Sequence, residues 1–84
     1  MKVTIKAKDT KSFEAELSKP SLDERVDIVE YIHAMAIKGA RIYDLSVKIC
    51  RLGTNYTDEE LDVWDNDQHY ALARHIYRLA SKKK

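Results

Sequence analysis

Apolar and polar residues alternate twice near the start of the chain. Val3, Ile5 and Ala7 fall on one side of residues 3–7, with Thr4, Lys6 and Lys8 on the other. Residues 13–17 repeat the pattern, Phe13, Ala15 and Leu17 against Glu14 and Glu16. A two-residue period marks a strand with one buried face. Asp9-Thr10-Lys11-Ser12 between the runs is a polar turn of ordinary hairpin length, so residues 1–18 are predicted to form a β-hairpin. Lysines on one outward face meet glutamates on the other, which adds a few tenths of a kcal/mol per pair. A lone hairpin is barely stable in water. The Val3/Ile5/Phe13/Leu17 face therefore needs an apolar partner, and the central helix is the nearest candidate.

From residue 21 the period lengthens. Lys19-Pro20 ends the second strand, because proline cannot donate to a ladder and holds its predecessor extended. Ser21-Leu22-Asp23-Glu24 has the form of a capping box, with acidic groups at the positive end of a helix dipole. Leu22, Val26, Val29, Ile32, Met35 and Ala36 then recur at three- and four-residue steps, and Ile28 and Tyr31 widen the stripe. A helix is predicted over residues 22–38. Gly39 follows Lys38 in the order expected of a helix C-terminus. Ile42, Leu45, Ile49 and Leu52 resume the period at once, so residues 21–53 are one kinked helix or, the preferred reading, two helices with a tight joint. Gly53 stops the second.

Thr57-Asp58-Glu59-Glu60 is a second capping box, opening a short acidic helix through Leu61 and Trp64. Asp65-Asn66-Asp67 breaks or re-caps the chain. The last helix carries His69, Leu72, Ala73, Ile76, Leu79 and Ala80 on one side, bordered by Tyr70 and Tyr77. Arg74, Arg78 and Lys82 form a basic line at four-residue spacing that ends in Lys82-Lys83-Lys84, and lysines there complement the helix dipole. The expected fold is a single α+β, mostly helical domain: an N-terminal β-hairpin packed on a bundle of three to four short helices. Residues 57–81 are its C-terminal helical unit and residues 82–84 a basic tail.

Composition narrows the function classes. A core built from 84 residues supplies only roughly 3–5 kcal/mol unaided. One cysteine allows no internal disulfide, so close helix packing or self-association must make up the difference. Fifteen basic against 14 acidic residues, a net charge of +1, argues against a dedicated nucleic-acid binder. At 44% hydrophobic the chain is too apolar to be disordered. No apolar run approaches the roughly 18 residues of a membrane span, and the first residues alternate rather than forming a signal-peptide core. With Cys50 free in an aliphatic context, the expected location is the cytoplasm.

Candidate chemistry is sparse. His69 and His75 are six apart and so lie on different helix faces; His33 is remote. Asp65, Asp67 and His69 lack the further ligands, loop glycine and distal glutamate of a calcium loop, and helix capping is the preferred reading. Two glycines cannot build a phosphate cradle, and no serine or cysteine sits in a nucleophile motif. Asp58/Asp62 and Glu59/Asp62 occupy an exposed helix where nothing raises a pKa for acid–base work. No catalytic residue, metal site or cofactor is expected, and the chain does not read as an enzyme. Four of its seven aromatic residues, Tyr56, Trp64, Tyr70 and Tyr77, fall from residue 56 onward. They seal the core in the first reading; in the second they sit beside arginines as interface anchors. The candidate protein interface is Tyr56, Trp64, Tyr70, Arg74, Tyr77 and Arg78. As a nucleic-acid stripe, Arg74, Arg78 and Lys82 are opposed by six negative charges in residues 58–67.

The Val3–Leu17 hairpin, Lys19-Pro20-Ser21-Leu22, the Glu24-Arg25 helix start and the Thr57–Leu61 segment together give an outline. It resembles the small tail-assembly chaperones of long-tailed phages and minor tail proteins of similar size. No functional residue is carried over from the family. The resemblance implies a non-enzymatic protein that coats an elongated, helical, aggregation-prone tape-measure partner as a homo-oligomer. The alternative is a small phage or mobile-element regulator that binds and blocks a host protein or nucleic-acid complex. A direct nucleic-acid binder is the third and least favoured class.

Overall fold

The computed structural model describes residues 2–7, 10–17 and 26–81. The elements are β1 (Lys2–Ala7), β2 (Thr10–Glu16), α1 (Val26–Ile37), α2 (Ser46–Gly53), α3 (Asp58–Asp62) and α4 (Asn66–Ser81). This is an α+β, mostly helical fold with a two-stranded antiparallel hairpin at its start. The Ser21–Glu24 capping box, the Lys19-Pro20 strand end and the Lys82–Lys84 tail lie outside the described residues.

The hairpin sets Val3 opposite Ala15 and Ile5 opposite Phe13, then shifts so that Ala7 faces Thr10. Thr10, Lys11 and Ser12 therefore belong to β2 and not to the turn that the sequence suggested. The β-branched Thr10 suits a strand, and an irregularity between Ile5 and Ala7 absorbs the offset. Lys2 faces Glu16 as expected of the outward charges, whereas Glu14 faces Thr4. Ile5, Ala15 and Leu17 are buried, and Val3 and Phe13 half-buried against the core.

The helix under this hairpin is α4, not α1. Among the substantial element contacts, α4 touches β1, β2, α1 and α2, while α1 touches only α4 and α2. The cause is length and small side chains. α4 is the longest described helix at 16 residues, with Leu72, Ala73 and Ile76 fully buried. Ala73 and Ala80 let neighbouring elements approach it closely.

The two glycines do different work. Gly39 has φ +91°, and its N–H donates to Ala36 O (2.9 Å) while Ala40 N–H donates to Met35 O (3.0 Å). Those bonds form a Schellman motif, so α1 ends here. Residues 42–45 continue as hydrogen-bonded turns, and α2 begins only at Ser46. The joint is thus longer than the tight one expected. Its turns keep a helix-like repeat, so Leu45 is buried and Ile42 packs against the core. Gly53 ends α2 without a positive φ. A Cβ there would stand 2.6–2.9 Å from the Ile76 side chain, so this glycine lets α2 close on α4.

Both later helices start on reciprocal caps. Thr57 Oγ1 accepts from Glu60 N–H (3.2 Å) and Glu60 Oε1 accepts from Thr57 N–H (2.9 Å). Asp65 and Gln68 repeat the arrangement, at 2.8 and 3.0 Å, to open α4. The hairpin is tied to this region by the Leu17–Thr54 bridge and by Glu16 N–H donating to the Tyr56 hydroxyl at 2.9 Å.

Candidate functional site

The spacing of α4 places Tyr70, Arg74, Tyr77 and Arg78 along one flank of its buried stripe. α1 supplies Ile32 and the turn before α2 supplies Ile42 to the opposite wall. Together they line an open cleft of about 470 Å³. The Arg74 guanidinium carbon lies 5.7 Å from the Tyr70 ring centre, within cation–π reach, and Tyr43 packs on that ring at 5.3 Å. Among the described residues neither Arg74 nor Arg78 has a carboxylate partner. The neighbouring His75 is held below its ordinary pKa, first by burial and then by the charge of Arg78.

Tyr56 and Trp64 are elsewhere. Trp64 meets Phe13 edge-on at 5.3 Å and Tyr56 edge-on at 5.2 Å, and stacks on His69 at 6.3 Å. This cluster clamps the hairpin to the chain around α3. Its outer side forms a second cleft, of about 590 Å³, lined by Glu14, Tyr56, Glu59, Glu60, Val63 and Trp64. Glu60 is occupied as a cap, and Asp58 pairs with Arg51 at 3.0 Å. Glu14 and Glu59 have no cationic partner among the described residues. Val63 is 81% exposed on the rim.

The six sequence candidates therefore divide into two surfaces of opposite charge. Sequence reasoning did not include Ile32 and Ile42 in the first, because both belong to a stripe that reads as core. It also passed over Glu14, Glu59 and Val63 in the second. A valine outside any apolar stripe, next to carboxylates, was the signal available for that one.

The other candidate groups do not converge. His69 is buried; its Nε2–H donates to Leu61 O at 2.6 Å, and its Nδ1 has no partner among the described residues. Asp65 caps α4 and Asp67 is exposed, so the Asp65/Asp67/His69 trio is spread over a cap, a surface and the core. Among the described residues no three His, Cys, Asp or Glu side chains stand where they could hold a metal ion. The Cys50 thiol is buried, donates to His69 O at 3.4 Å, and is pushed up to about 12 by burial. No described helix is long and apolar enough to cross a membrane. Comparison with protein-family models, with curated proteins and with solved structures found no match.

Proposed function

We propose that this chain is a non-enzymatic protein-binding module whose α1–α4 cleft receives an acidic, amphipathic helical segment of a partner. One observation carries the reading: an apolar floor of Ile32, Ile42 and Tyr77 lies beside two arginines that have no carboxylate partner among the described residues. A helix laid in such a groove buries its apolar stripe and meets the arginines with its own acids. Tyrosine and arginine are the side chains that most often anchor such contacts. Holding an elongated helical protein during phage tail assembly, in the cytoplasm, is the form of this role that the family resemblance favours. The same arginines also suit an acidic host-protein surface, the mobile-element regulator reading.

A synthetic amphipathic helix with glutamates flanking a leucine stripe tests the proposal. Titrated into the isotopically labelled protein, it should shift the NMR signals of Ile32, Ile42 and Tyr77. Arg74→Glu with Arg78→Glu should weaken it by about tenfold or more, and a lysine-flanked version should bind far less. Shifts confined to the Glu14/Val63 side, or none, reject the cleft as the binding site.

A further inference from the structure

We propose that the two clefts are complementary halves of one contact, so that copies of this chain associate head to tail. In that contact the α3 edge of one copy sits in the arginine-lined groove of the next. The inference rests on the reading of the α1–α4 cleft as a docking site and names a second copy as an occupant.

Charge and shape carry it. The groove offers Arg74 and Arg78 over an apolar floor. The α3 edge offers Glu14 and Glu59, and both pairs lack partners of opposite sign among the described residues. Val63 supplies the apolar knob, 81% exposed where α3 ends and adjacent to those acids. Burying it on Ile32, Ile42 and Tyr77 removes from water the apolar surface that each cleft leaves open. The two linings share no residue, so filling one cleft uses no side chain of the other. A contact between two different patches is heterologous: it closes into a ring if the rotation permits and otherwise runs on as a filament. Opposite charges at the rim make it sensitive to salt.

Sedimentation of the purified full chain tests this. The average mass should rise above the monomer with concentration at low salt and fall back at high salt. Arg74→Glu with Arg78→Glu should be monomeric, as should Glu14→Gln with Glu59→Gln and Val63→Ser. Each variant keeps one intact face, so an equal mixture should give a one-to-one dimer that does not grow with concentration. These side chains are exposed, so the fold should survive, and unchanged thermal melts establish that it does. Should the glutamate pair disturb α4, Arg74→Ala with Arg78→Ala serves in its place. Oligomers that survive either set of changes overturn the proposal, and so does a mixture that remains monomeric, since a self-complementary patch cannot be rescued that way. If the wild type stays monomeric while the acidic peptide still fills the groove, head-to-tail association is wrong and the binding role stands. If it is monomeric and the peptide does not bind, both fail.

Discussion

At the scale of single residues, Gly53 is a position where one added methyl group meets a packed side chain. Its absent Cβ is the room that Ile76 occupies. Gly53→Ala should cost about 1–3 kcal/mol, the usual range for overpacking, read from the urea midpoint. The same change in an Ile76→Ala background should cost much less, because the two sites are in contact and couple. Equal costs in both backgrounds would show that some other contact sets the price. Cys50 gives a second check. A thiol pushed up to about 12 and sealed in the core should resist labelling by a disulfide reagent at neutral pH until denaturant is added. His75 gives a pH test with a definite sign. Burial, then Arg78, holds its folded pKa below the ordinary value of 6.5, so the unfolded chain binds the proton more tightly. The stability associated with His75 is therefore complete above about 6.5. It is lost as the pH falls from there through the folded value, and the loss then levels off. The effect is small because the ring is half-exposed. Melting temperatures should slope in this window for the wild type and flatten for His75→Gln.

At the scale of elements, the parts legible in the sequence were those set by local chemistry. Thr57 and Glu60 form the box that their spacing announces, and Asp65 re-caps the chain where three polar residues interrupt the apolar pattern. Thr57→Ala removes one of those bonds and should lower stability by about 1 kcal/mol, measured by chemical denaturation. An unchanged midpoint would mean that α3 is held by Leu61 burial alone. The parts that were not legible depend on distance in space. The residues alone identify Gly39 and Gly53 equally well as helix stops, yet only Gly39 takes a left-handed φ. The difference lies in Ile76, which is 23 positions from Gly53 along the chain. Choosing the hairpin's partner fails for the same reason. α1 and α4 present comparable stripes, and periodicity cannot say which one the hairpin covers.

At the scale of the whole molecule, the question is how a small hairpin and four helices stay together with neither a disulfide nor a side-chain cluster able to hold a metal ion among the described residues. Trp64 is the joint. It touches Phe13 from β2, Tyr56 from the α2–α3 connection and His69 from α4, so one side chain meets all three stretches. The aromatic clustering from residue 56 onward foretold a role in sealing or in binding, but not that its members would part. Trp64 and Tyr56 hold the hairpin, while Tyr70 and Tyr77 line the groove. Replacement separates these roles. Trp64→Ala should cost about 2–3 kcal/mol, less than a fully buried tryptophan because the ring is half-exposed, and hydrogen exchange should rise first in β1 and β2. Tyr77→Ala, by contrast, should leave hairpin exchange near the wild-type rate and weaken the acidic peptide instead. If the two substitutions gave the same exchange pattern, the hairpin and the groove would be one mechanical unit, and the division of the aromatics into a clamp and a docking wall would be wrong.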